Sequence, residues 1–294
     1  MKRFTWDEMR EYWGHHNVLR AQVDRDTDPD ALDNVLHTGE PPWLNQYYAK
    51  YQRITYESLL AGVPPPRPGA RALDVGCGAG RWCRLLAQWG YRVTGIDLQE
   101  SLIQENQRRN PTIEFQCVSL QDFRTEEPYD LVSTVTVIQH NPHDEQHAMI
   151  AQLRRLLRPG GHALILENIR DQGAHVFSNS VEEWERRFAS HGFRRVLIQR
   201  YDYSPLTRIY ATVRGRVAAI PRRFLGGAPQ GGGGVEVYMT SHIPRRNGSM
   251  GALRRGDLAI RHILVRMDDV IEPTLTRRNL PLPTVHCGFL FEAV

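Results

Sequence analysis

The stretch Leu73-Asp74-Val75-Gly76-Cys77-Gly78-Ala79-Gly80-Arg81 restricts what this chain can fold into more than any other. An apolar run suited to a strand enters three alternating glycines and leaves as a helical pattern starting at Arg81. Glycine accepts left-handed backbone and lets a ligand come close to the main chain, so the stretch predicts a sharp strand–turn–helix beside a ligand. The spacing is G-x-G-x-G, and Arg81 stands where the dinucleotide pattern G-x-G-x-x-G has its third glycine, which argues against NAD. Asp97, at the end of the next expected strand, can accept hydrogen bonds from both hydroxyls of a ribose, and that serves either kind of nucleotide ligand.

Around this turn, strands are expected over 70–75, 92–96, 113–117, 129–137 and 162–166, with helices over 81–89, 100–109 and 144–157 between them. Such alternation implies right-handed β-α-β crossovers and a mainly parallel sheet, a Rossmann-like doubly wound α/β fold. A helix over 181–191, stopped by Gly192, and a strand over 195–200 extend the series. Pro64 to Gly69 cannot continue a helix, which separates an N-terminal helical cap, 1–63, from a core, 64–202. Residues 203–282 read as an insertion and expected substrate lid. Within it, 204–256 carries Gly226-Gly227 and Gly231 to Gly234 and reads as an exposed mobile loop or partly ordered segment, followed by a helix over 258–276. The unit 283–294 holds an apolar strand that completes seven.

In the cap, Leu44, Tyr47, Tyr48, Tyr51, Ile54 and Leu59 share one helical face, and a further helix is expected over 6–18, broken at Gly14. Asp24, Asp26, Asp28 and Asp30 begin like a calcium loop, but Pro29 replaces the glycine and Val35 the final glutamate that such a loop needs, so turns and helix starts account for them.

No run approaches the roughly 20 apolar residues that cross a bilayer, and the N-terminal residues lack the apolar region of a secretory signal; no membrane span and a cytoplasmic location are expected. Cys77, Cys83, Cys117 and Cys287 form no CxxC pair, which suits a reducing compartment. The formal charge of +4 comes almost wholly from arginine, since lysine stands only at 2 and 50. Nine of the arginines, against one acid, Glu236, lie between 203 and 256. A basic surface there would attract an anionic substrate, a nucleic acid or lipid headgroups, and a solvated face is the plainer alternative.

The glycine turn and Asp97 together resemble the class I S-adenosylmethionine-dependent methyltransferases over about residues 69–202, and Phe289-Leu290-Phe291 suits that superfamily's antiparallel last strand. The resemblance implies S-adenosylmethionine as cofactor and S-adenosylhomocysteine as product. It places Asp74 and the backbone of Gly76, Cys77, Gly78 and Gly80 at the amino-acid part of the cofactor, Asp97 at the ribose and Leu98 beside the adenine. Many members carry an acid for the adenine amino group after the third strand; Val118-Ser119-Leu120 stands there instead, leaving Ser119, Gln121 or Asp122 for that contact. Tyr129 to His140, including Thr134, is similar to the fourth strand and the loop that faces the methyl group, and Arg158-Pro159-Gly160-Gly161 to the turn before the fifth.

Methyl transfer needs positioning and, for some acceptors, removal of a proton. His140 is a candidate base, and Glu167 a candidate for orienting the acceptor; each also has a plain structural reading. His140, His143 and His147 lack a completing ligand, so no metal is expected. Tyr47, Tyr48 and Tyr51 could wall an organic substrate or simply pack, and Arg208, Arg214, Arg222 and Arg223 could hold a carboxylate or phosphate. The chain is therefore expected to methylate an O or N nucleophile of a small molecule, such as a specialised metabolite, with an anionic acceptor suggested by the arginines. RNA or a peptide is the second acceptor class, and a non-catalytic cofactor-binding partner protein is the reading from outside enzymology.

Overall fold

The computed structural model describes residues 42–170, 176–224 and 250–294. The expected helix over 6–18, the aspartate run and the glycine run at 231–234 lie outside these.

The elements in order are α1 (Pro42–Leu60), β1 (Arg71–Val75), α2 (Arg81–Gln88), β2 (Arg92–Asp97), α3 (Glu100–Arg109), β3 (Glu114–Cys117), β4 (Tyr129–Val135), a single 3-10 turn at Ile138–His140, α4 (His143–Leu156), β5 (Leu157–Asn168), α5 (Val181–Ser190), β6 (Phe193–Tyr201), α6 (Pro205–Phe224), α7 (Met250–Arg278) and β7 (His286–Ala293). The sheet has seven strands in the order β3-β2-β1-β4-β5-β7-β6. Strands β1 to β5 pair in parallel, and β7 runs antiparallel between β5 and β6. The expected mainly parallel sheet with an antiparallel last strand is what forms. Strand order reverses between β1 and β4, and the crevice outside the carboxyl ends of strands at such a point is where doubly wound sheets bind ligands.

Central strands read as continuous apolar runs because both faces are covered. One face packs Leu73, Val75, Val132, Ile165 and Phe289 with α4 and α5 residues such as Ile150, Leu153, Trp184 and Phe188. The opposite face packs Ala72, Leu131, Leu164 and Leu290 with Cys83 and Leu86 of α2 and with Tyr51, Tyr56 and Leu59 of α1. Gly288 of β7 permits the close approach of α1: a Cβ there would stand 2.6 Å from Leu59 Cδ1 and 2.8 Å from Thr55 Cγ2.

Two differences from expectation concern the later chain. Residues 205–224, expected within an irregular segment, form helix α6. Its first turn is capped from another helix, because Asp268 of α7 accepts the backbone N–H groups of Leu206 at 2.9 Å and Thr207 at 3.0 Å, and those groups have no partner within their own helix. That long-range cap leaves no local sequence signal. The Arg158-Pro159-Gly160-Gly161 stretch, expected as a turn, is the irregular start of β5, with Gly160 at φ 69°.

Candidate active site

The glycine turn closes as its spacing requires. Gly76, Gly78 and Gly80 take φ of 67°, 51° and 75°, values that a side chain with a Cβ rarely adopts. A Cβ on Gly76 would stand 2.5 Å from Val137 Cγ2, so the loop after β4 lies directly against the turn, whereas a Cβ on Gly78 would meet nothing within 4 Å. The tip of the turn thus offers bare backbone. Asp97 organises it: Oδ2 accepts the Gly78 N–H and Oδ1 the Gln99 N–H, each at 2.9 Å. A carboxylate oxygen has two lone pairs and can accept more than one hydrogen bond. Leu98 beside it is 54% exposed, an apolar surface held at the end of β2.

Not every expected contact residue faces that opening. Asp74 is buried, and its carboxyl accepts from the Cys83 thiol at 3.4 Å, which ties β1 to the first turn of α2. Burial pushes this carboxyl up to about 7, against the pull of hydrogen bonds from Cys83 and Ser133. Cys77 is buried, so what it offers the turn is backbone. Leu120 packs into the core with Ile96 and Phe123, and Thr134 is fully buried with its hydroxyl 3.5 Å from Glu167 Oε1. Ser119 donates to Asp122 Oδ2 at 2.6 Å, which leaves Ser119 and Asp122 as one polar pair after β3.

Glu167 does not orient an open pocket. Its Oε1 accepts the backbone N–H groups of Val137 at 3.2 Å and Ile138 at 2.9 Å, and its Oε2 that of Gln139 at 3.1 Å. Burial drives its pKa up to about 8, while these three N–H groups favour the charged form. The carboxyl therefore fixes the loop after β4, where Thr136 holds φ of 56°, unusual for a β-branched residue. His140 ends this loop, half-buried, with its Nε2 3.3 Å from the Gln139 amide nitrogen.

Helix α1 covers the turn. Arg81 donates to Ala49 O at 2.6 Å and Gln52 Oε1 at 3.3 Å, and its guanidinium lies 4.1 Å over the Trp82 ring, which stacks on Tyr56. The tyrosines expected to wall a substrate divide. Tyr47 and Tyr51 are buried, their hydroxyls donating to Glu272 at 3.2 Å and Asp269 at 2.6 Å of α7. Tyr48 stays half-buried with its ring 6.3 Å from that of His286. Arg208 is not open to an outside anion in this arrangement: it donates to the backbone oxygens of Tyr203 and Asp202, each at 2.8 Å, and pairs with the Asp202 carboxylate. Arg214 pairs with Asp257. His147 meets His191, and no group of three or more metal-ligating side chains occurs among the described residues.

Sequence patterns give no cue to the buried polar residues at this end of the sheet. Asp202, Glu272 and His286 converge from β6, α7 and β7, with Glu272 accepting the backbone N–H groups of Tyr203 at 2.8 Å and Ser204 at 3.0 Å. The only trace in the sequence is charge placed inside otherwise apolar segments.

A doubly wound sheet with its β1 turn built from G-x-G-x-G, and a carboxylate at the end of β2, is the arrangement that the resemblance to class I methyltransferases implies. A family model described as a methyltransferase domain matches residues 72–161. The chain thus carries an S-adenosylmethionine-dependent methyltransferase domain. Among curated relatives, a ubiquinone biosynthesis O-methyltransferase of Bordetella avium is 25% identical over 229 residues, 66% of this chain and 89% of that protein. Its namesake from Xanthomonas campestris pv. campestris is 34% identical over 147 residues, 48% of this chain and 55% of that one. A crystal structure from Galdieria sulphuraria, provisionally assigned as a sarcosine dimethylglycine methyltransferase, superposes with a TM-score of 0.56 at 15% identity over 95% of this chain and 98% of its own. That likeness speaks for the fold. No helix among the described residues is long and apolar enough to cross a membrane.

Proposed function

We propose that the protein methylates a nucleophilic oxygen of a small organic molecule, with nitrogen as the second choice of acceptor atom, in specialised metabolism. The observation that carries this reading is the coverage of the glycine turn by α1, held through Arg81 on Ala49 and Gln52, because it makes the acceptor approach through a covered site suited to a small molecule. The curated relatives named O-methyltransferases support oxygen. Pairing of Arg208 and Arg214 inside the chain speaks against a nucleic acid or a strongly anionic acceptor.

In this reading the backbone of Gly76 to Gly80 holds the amino-acid part of the cofactor, Asp97 holds the ribose and Leu98 supports the adenine. The open space at Gly78 and the Asp97 carboxylate bound to its N–H fit those roles. S-adenosylmethionine supplies an electrophilic methyl on a sulfonium and departs as a neutral thioether. The protein's task is to bind, align and exclude water. Calorimetry with S-adenosylmethionine and S-adenosylhomocysteine, with NAD as control, followed by transfer of labelled methyl to hydroxylated and aminated small molecules, tests the reading. Labelling of RNA or protein with none of the small molecules would sink the acceptor assignment.

A further inference from the structure

At the far side of the covered site the register puts Asn168 of β5, His286 of β7 and Tyr201 of β6 in one cross-strand row. Residues paired across antiparallel strands stand about 5 Å apart with side chains on the same face. The His286 ring stacks on Tyr201 with centroids 5.4 Å apart, and Tyr48 of α1 closes over it. Its Nδ1 lies 3.1 Å from Asp202 Oδ2. That carboxylate is buried and held in place by the Ser204 hydroxyl at 2.6 Å and by Arg208. An imidazole whose Nδ1–H is given to a carboxylate presents a lone pair on Nε2.

Two neighbouring polar atoms have nothing to bond to. The Tyr201 hydroxyl and Asn168 Oδ1 are buried without a hydrogen-bond partner among the described residues, and such atoms each cost about 1–3 kcal/mol unless something satisfies them. Asn168 directly follows Glu167, which fixes the loop after β4, and its backbone N–H donates to Gln139 Oε1 of that loop at 2.5 Å. The row therefore adjoins the site and is not a separate feature of the core.

We propose that His286, oriented by Asp202, removes the proton from the acceptor's hydroxyl, that Tyr201 and Asn168 hold that hydroxyl, and that the acceptor is a phenol. The proposal rests on the methyl-transfer reading above. The O–H bond breaks, its proton passes to His286 Nε2, and the electron pair left on oxygen forms the bond to the methyl carbon supplied by the sulfonium. The imidazolium, stabilised by Asp202, then releases the proton to water. A phenol suits an imidazole base, since it is a far stronger acid than an aliphatic alcohol.

The test uses the full chain with S-adenosylhomocysteine bound, and 4-nitrophenol, whose ionised form absorbs visibly, titrated in slightly acidic buffer. Wild type should bind the probe as phenolate. His286→Gln should lose the phenolate band and bind roughly tenfold more weakly. Tyr201→Phe should weaken probe binding several-fold while folding normally, because the deleted hydroxyl has no hydrogen-bond partner among the described residues. An undiminished phenolate band in His286→Gln, or no probe binding by wild type carrying S-adenosylhomocysteine, overturns the assignment. Failure of S-adenosylhomocysteine itself to bind would sink the methyl-transfer reading first, and this one with it.

Discussion

Glu167 and Ile138 are joined across two strands by a 2.9 Å hydrogen bond from the Ile138 backbone N–H to the carboxylate, so the turn after β4 hangs from the end of β5. With Val137 and Gln139 donating to the same carboxyl, one side chain sets the path of the loop that presses on the glycine turn at Gly76.

Glu167→Gln keeps the shape but places an amide N–H₂ against a backbone donor. The expected loss is about 2 kcal/mol, read as a lower midpoint in urea unfolding. Binding of S-adenosylhomocysteine should weaken in the same variant, since the loop supports the turn. An unchanged midpoint would remove Glu167 from this role.

Asp97→Ala deletes the acceptor of the Gly78 and Gln99 N–H groups. Charged hydrogen bonds are each worth about 1.5–3 kcal/mol, so affinity for S-adenosylmethionine should fall by at least roughly tenfold by calorimetry, with the circular dichroism spectrum retained. Unaltered affinity would take Asp97 out of the cofactor site.

Gly288→Val drives a side chain into Leu59 and Thr55, where a Cβ alone comes within 2.6 Å of Leu59. Overpacking of this kind costs about 1–3 kcal/mol. The variant should melt several degrees lower, and limited proteolysis should cut earlier within α1.

Asp74 and Glu272 are both pushed up to about 7, in each case chiefly by burial. A carboxyl held above its unfolded value keeps its proton in the folded state while the unfolded chain releases it. Stability is then greatest below about pH 4 for these groups and declines up to about pH 7. Thermal denaturation should show a lower midpoint at pH 7.5 than at pH 5.5. Asp74→Asn should flatten that slope, since the amide oxygen can still accept from Cys83; a slope unchanged in this variant would show that Asp74 does not set it.

The fold was legible because its signals are local. Three glycines with left-handed φ announce the first turn, and apolar runs of strand length between helical stretches announce the crossovers. The substrate side was less so. Helix α6 depends on Asp268, some sixty residues further along, for its cap. Tyr47, read as a substrate wall, is instead drawn to Ser204 and Glu272, and Arg208 to Asp202. Such pairings depend on which segments meet, and nothing in the spacing of the residues encodes it. For the same reason Glu167, read as a candidate for orienting the acceptor, fixes a loop instead, and no local pattern marks His286 as the partner of Asp202.

The insertion of β7 between β5 and β6 also shapes how the sheet assembles. β6 pairs with β7 alone, and Asp202 at its end is 84 residues from His286. Closing so long a loop costs entropy before any contact repays it, and non-local pairings slow folding. The sheet from β3 to β5 can zip up through neighbouring crossovers, leaving β6 without a partner until β7 docks. The docking that completes the sheet also brings His286 between Asn168 and Tyr201, so this polar row exists only once the sheet is whole.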